Sequence, residues 1–189
     1  FSGGAGNDTL NGSDTSTQLV GNGDGGNDSL IGSSVADTLN GGVGDDFIAG
    51  AKGNDRMIGD TGNDTLAWRD GDGSDRMSGN AGIDTVAVEG SLAQGDNFVL
   101  GQQGTQAIFN RVNLGQFQLT VDTVEQFSVS GEGGNDFFDV NNLNSTAINL
   151  VNFSGGVGDD TLTGGGTNTR LIVNGDAGND VFIGGSAND

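Results

Sequence analysis

An aspartate followed two places later by an apolar residue recurs through this chain on a nine-residue clock, and no other feature constrains its fold as much. Asp28, Asp37, Asp46, Asp55 and Asp64 are spaced strictly by nine; the step widens to eleven at Asp75 and returns to nine at Asp84. The frame G-x-x-G-x-D opens at residues 3, 23, 41, 50, 59, 79, 131, 155 and 175, with weaker copies at 32–37, 70–75 and 184–189. Two places after Asp8, Asp28, Asp37, Asp46, Asp55, Asp64, Asp75, Asp84, Asp136, Asp160 and Asp180 stand Leu10, Leu30, Leu39, Ile48, Met57, Leu66, Met77, Val86, Phe138, Leu162 and Phe182. Only 32% of the chain is hydrophobic, so an apolar residue at all eleven positions is a repeat and not chance.

Nine residues are too few for a helix pair but suffice for one short strand and one tight turn. Glycine supplies the positive φ values such a turn requires. The apolar residue at the eighth place points inward from the strand while its neighbours point out. Two units reverse the chain twice and close one coil, and stacked coils lay strand on strand in two parallel sheets. No unit buries enough to stand alone, so the core is shared along the stack. Aspartates eighteen residues apart then lie one above another. One edge stacks Asp28, Asp46 and Asp64, with Asp8 and Asp84 each offset by a further two residues; the other stacks Asp37 and Asp55, then Asp75.

Stacked coils sit about 4.8 Å apart, and bare carboxylates at that spacing repel. The chain as a whole has the same problem: 26 acidic against 6 basic residues give a formal charge of −20, and with 38 glycines the composition borders on disorder. A cation is missing. Carboxylates and turn carbonyls offer an all-oxygen shell of the kind calcium takes, whereas zinc, copper and iron are disfavoured because His and Cys are absent. Lys52, Arg56, Arg69, Arg76, Arg111 and Arg170 form no patch in the sequence, so nucleic acid and anionic lipid are not expected partners. No apolar run approaches membrane-spanning length, and membrane insertion is not expected. With neither an initiator Met nor a signal peptide, the chain reads as a mature or excised piece.

The nonapeptide resembles the RTX, or haemolysin-type, calcium-binding repeat. That resemblance implies an all-β fold, a right-handed parallel β-roll or β-helix solenoid with calcium-loaded turns. It further implies that Asp8, Asp28, Asp37, Asp46, Asp55, Asp64, Asp75, Asp84, Asp136, Asp160, Asp180 and Asp189 bind metal together with turn carbonyls. One ion in each gap between stacked aspartates gives about eight calcium ions. The resemblance covers residues 3–87 well and 131–189 loosely, and does not extend to 88–130. Three regions are therefore expected: a calcium β-roll over 1–87, calcium-poor coils continuing the stack over 88–130, and a degenerate β-roll over 131–189. Residues 12–20 keep the repeat length but put Thr17 where an aspartate belongs.

Other readings are weaker. The segment "DGDGSD" at 70–75 lacks the glycine and glutamate of an EF-hand loop. Phe98, Phe109, Phe117 and Phe127 are expected in a core; Trp68, where the step is eleven, is expected either to cover the longer loop, the favoured reading, or to be an exposed contact. Without His, Cys, Tyr, H-E-x-x-H or G-x-S-x-G, no enzyme is expected. The expected function is a calcium-binding extracellular structural segment of a surface layer, adhesin stalk or filament. The alternative is the accessory RTX repeat domain of a larger type I-secreted enzyme or toxin. Phe1-Ser2 fit the eighth and ninth places of a repeat and Asp189 the sixth, so coils are expected to stack end to end between copies or to continue in a longer chain.

Overall fold

The computed structural model describes residues 1–186, which form short strands and turns and, among the described residues, no helix. The chain divides into two compact units: Phe1–Ala87 with Leu119–Val124, and Val88–Gln118 with Glu125–Asp189.

The first unit holds β1 (Ser2–Ala5), β2 (Thr9–Asn11), β3 (Val20–Gly25), β4 (Ser29–Ile31), β5 (Thr38–Val43), β6 (Phe47–Ala49), β7 (Arg56–Thr61), β8 (Thr65–Arg69), β9 (Arg76–Ala81) and the start of β10 (Thr85–Glu89). Odd and even strands alternate between two sheets, and the successive pairings from β1 to β9 and from β2 to β8 are parallel. Thr120–Asp122 extend the odd sheet beside Arg76–Ser78. The register puts each repeat's apolar residue on the next. Leu10, Leu30, Ile48 and Leu66 form one column, and Leu39, Met57, Met77 and Val121 the other. From Leu30 and Leu39 onward both columns are buried. The parallel two-sheet solenoid expected from the repeat is the fold of this unit.

One register differs from the sequence reading. Leu19, not Thr17, occupies the slot paired with Asp37, and Gly21 stands beside Leu39 in the apolar column. Asp8 and Asp28 are twenty residues apart, and the two extra residues are absorbed in the 12–19 loop. Counting in nines from the N-terminal side therefore misplaces the slot by two.

The second unit holds β11 (Asn97–Gln103), β12 (Gln106–Arg111), the start of β13 (Phe117–Asp122), β14 (Gln126–Ser130), β15 (Phe137–Val140), β16 (Leu150–Val157), β17 (Thr161–Thr163), β18 (Arg170–Ala177) and β19 (Val181–Ile183). β11, β15, β17 and β19 are parallel neighbours, as are β14, β16 and β18. β11 and β12 instead form an antiparallel hairpin. Gly104, with φ 65°, opens a two-residue turn that sends the chain straight back. Successive parallel turns were expected there; the strand segments match and the direction of the β11–β12 pairing does not.

Phenylalanines fill this unit. Ring centres of Phe98 and Phe109 lie 5.2 Å apart, Phe109 and Phe127 5.8 Å, Phe109 and Phe117 5.9 Å, and Phe138 and Phe153 5.4 Å. All are buried, as expected of core residues. No helix of the described residues is long and apolar enough to cross a membrane.

Candidate metal centre

The repeat turn begins at a glycine, leaves the sheet, and returns with an aspartate at its sixth place just before the next short strand. Each aspartate reaches back one coil with one oxygen. Oδ1 of Asp28 accepts the backbone N–H of Asp8 at 2.7 Å, Asp46 that of Asp28 at 2.7 Å, Asp64 that of Asp46 at 2.8 Å, and Asp84 that of Asp64 at 2.9 Å. On the other edge Asp37 accepts from Leu19 at 2.6 Å, Asp55 from Asp37 at 2.7 Å, and Asp75 from Asp55 at 2.8 Å. The second unit repeats the pattern: Asp136 accepts from Asp96 at 2.6 Å, Asp160 from Asp136 at 2.7 Å, and Asp180 from Asp160 at 2.9 Å. Four rungs separated by twenty residues keep the geometry of those separated by eighteen, so the turns absorb the insertions.

In eight of these aspartates the other oxygen has no donor. Oδ2 of Asp8, Asp28, Asp46, Asp55, Asp64, Asp75, Asp136 and Asp160 is buried and unpaired. A buried polar atom without a partner costs about 1–3 kcal/mol, and more when charged. Eight such atoms in register are not accidental defects. Their surroundings explain what is missing. A Cβ on Gly3 would lie 2.7 Å from both Asp8 Oδ2 and the Gly23 carbonyl oxygen. The same construction at Gly23 meets Asp28 Oδ2 and the Gly41 carbonyl, and at Gly131 it meets Asp136 Oδ2 and the Gly155 carbonyl. Carboxylate and carbonyl oxygens thus converge over a glycine that has no side chain to intrude. Acceptor faces acceptor, and a cation satisfies both. Among the described residues no three acidic side chains gather at one point, so any such shell draws on backbone carbonyls. The residues fit a hard, oxygen-seeking ion.

Without such an ion, burial pushes the carboxyls up. Asp55, Asp75 and Asp136 rise to about 7 and Asp64 to about 6. Asp46 and Asp160 are raised as well. Desolvation is the leading cause in every case. The hydrogen bond from the preceding coil works against it, and neighbouring carboxylates add to it.

Of the aspartates expected to bind metal, all but Asp189 stand in these ladders; Asp189 lies outside the described residues. Asp37 is in the ladder but both its oxygens are supplied with donors, since the Ser33 backbone N–H and hydroxyl meet Oδ2 and Oδ1. Asp96 was missed. It sits on the ladder with Asp136 and is buried. Its signal was present but shifted: "GSLAQGDNF" (90–98) is the repeat frame with one residue inserted, ending on the apolar Phe98. Missed too was a second, exposed ladder at the fifth place. There Asn7 Oδ1 accepts the N–H of Asn27 at 2.9 Å, Asn27 that of Asp45 at 3.1 Å, and Asp45 that of Asn63 at 2.7 Å. It runs in the opposite direction to the sixth-place ladder and needs no ion, which accounts for the recurrent "GND". Trp68 is fully buried and donates its indole N–H to the Gly73 carbonyl at 2.9 Å, covering the longer loop as expected.

A family model described as the RTX calcium-binding nonapeptide repeat (4 copies) matches residues 1–15, 22–56, 31–66, 69–87, 152–170 and 172–189. These segments make up more than half of the chain, which belongs to the RTX calcium-binding repeat family. Comparison with curated proteins found no match, and comparison with solved structures found none either.

Proposed function

We propose that this chain is a structural segment that works outside the cell, in a surface layer, an adhesin stalk or a filament, and that its coils fold and stiffen on binding calcium. One observation carries the reading: buried carboxylate oxygens stand in register, facing carbonyls and lacking donors. Ladder aspartates whose Oδ2 has no donor would hold the ions, with turn carbonyls such as those of Gly23 and Gly41 in the shell. Bound calcium supplies the positive charge between coils that the −20 sequence lacks. An extracellular setting is supported by the family, whose repeats typically occur in secreted proteins. It also suits the weak affinities, about 10⁻⁴–10⁻³ M, at which extracellular calcium modules operate.

No catalytic role is part of this reading. The ladder carboxylates are spread along edges, and His, Cys and Tyr are absent from the sequence. End-to-end addition is supported by the sheet edges. β1 and β2 are edge strands of the first unit, and β18 and β19 of the second. An open parallel edge accepts another coil, from a longer chain or a second copy.

A calcium titration tests the proposal, with circular dichroism for β structure, Trp68 emission for the 70–75 turn and light scattering for assembly. Disorder in chelator giving way to β structure and a blue-shifted Trp68 is the expected result. Unchanged β structure in excess chelator would sink the calcium reading, and a calcium-loaded chain that stays monomeric at all concentrations would sink self-association.

A further inference from the structure

Two ladder carboxylates differ from the rest, and the difference begins at the second residue of the turn. In all eight frames whose Oδ2 lacks a donor, from Gly4 (φ 95°) to Gly156 (φ 98°), that residue has a left-handed backbone. Non-glycine residues there accept the strain: Asp24 has φ 71°, Asp60 84° and Glu132 69°. In the frames of Asp37 and Asp96 the second residue is a serine, Ser33 or Ser91, and neither is left-handed. The consequence is direct. The Ser33 N–H donates to Asp37 Oδ2, and the Ser91 N–H donates to Asp96 Oδ2 at 2.7 Å. The serine hydroxyl of Ser33 adds a bond to Asp37 Oδ1 at 3.1 Å.

At Asp96 a resident cation completes the shell. Arg111, at the end of β12, places its Nη1 3.1 Å from Asp96 Oδ1, with the two side chains 3% and 0% exposed. Its Nε donates to the Gly115 carbonyl at 3.0 Å, and its guanidinium carbon lies 5.3 Å from the centre of the Phe117 ring. The guanidinium is therefore held by an anion, a carbonyl and an aromatic face. Arginine stays charged at any working pH, and a divalent ion brought beside it would be repelled across a short, poorly screened distance.

We infer that Asp37 and Asp96 are the ladder carboxylates that take no calcium. A serine turn closes the first, and at the second Arg111 stands in for the ion. The inference rests on the calcium reading of the other steps. Calcium bound per folded full chain, measured by competition with a chromophoric chelator, tests it in four proteins. These are the wild type, Asp55→Asn, Asp37→Asn, and the double variant Asp96→Asn/Arg111→Gln, which removes both charges and leaves no lone buried ion.

Asp55→Asn is expected to lower the count by at least one, while Asp37→Asn and the double variant match the wild type. A lost ion in either of the latter two, alongside the loss in Asp55→Asn, overturns the inference. An unchanged count in Asp55→Asn overturns the calcium assignment beneath it instead. A calcium-loaded crystal structure of the wild type gives the same answer without a variant. Ions at the other steps only support the inference, and an ion within ligand distance of Asp37 or Asp96 overturns it.

Discussion

On the proposed calcium reading, a ladder aspartate whose Oδ2 lacks a donor divides its two oxygens between two tasks: Oδ1 ties one coil to the last, and Oδ2 is left for a cation. Protons and calcium compete for that second oxygen, which gives the metal-free protein an unusual pH dependence. Asp55, Asp75 and Asp136 have carboxyls raised to about 7 in the metal-free fold, against 3.8 for an unperturbed aspartate. Between those values the folded chain holds protons that the unfolded chain has released, so stability falls as pH rises through the window. The contribution is fully present below the unfolded value and lost above the folded one. In excess chelator, β structure is therefore expected to grow as pH is lowered from about 8 to about 5. With calcium, the midpoint of the titration is expected to move to higher calcium over the same range, because ligands must first lose their protons. Chelated stability that is flat or rises between pH 5 and 8 would refute this account of the ladder.

The turn, as an element, depends on its fourth residue as much as on its sixth. Gly62 has φ 139°, and a Cβ there would collide with the Gly44 carbonyl of the preceding coil. Gly62→Ala is expected to cost about 1–3 kcal/mol from backbone strain alone, with more from the collision. Calcium-saturated denaturation should show the loss, and an unchanged midpoint would mean that the turn is softer than its geometry. Such local chemistry is what made the roll legible. Gly23, Asp28 and Leu30 state a turn, a rung and a core position within eight residues, so the period carried the parallel stacking and both aspartate edges. Elements specified at longer range, or by an insertion, were hidden. One added residue between Gly90 and Asp96 took that rung out of phase, and two in the 12–19 loop moved the slot from Thr17 to Leu19. The hairpin direction is set by the short turn at Gly104, which the strand spacing alone does not report. Arg111 is fifteen residues from its partner, with no periodicity linking them.

At the scale of the whole molecule the −20 charge is not compensated in the same way everywhere. The first unit carries six of the unpaired buried oxygens, on Asp8, Asp28, Asp46, Asp55, Asp64 and Asp75, against two narrow columns of aliphatic side chains and methionines. Among its described residues the second has two, on Asp136 and Asp160, and sets against them a cluster of phenylalanines and the buried Arg111–Asp96 pair. Burial of a large aromatic contributes about 1.5–3 kcal/mol, a gain that does not depend on calcium. Loss of the ion should therefore open the units unequally. Hydrogen exchange in rising chelator reads each from its own amides. Those of Asp28, Asp46 and Asp64, which donate to the ladder above, are expected to exchange first. Amides of β11, β12 and β14 are expected to stay protected at chelator concentrations that expose the first set. If both sets lose protection at one midpoint, or the second set yields first, the aromatic cluster and Arg111 do not lessen that unit's dependence on calcium.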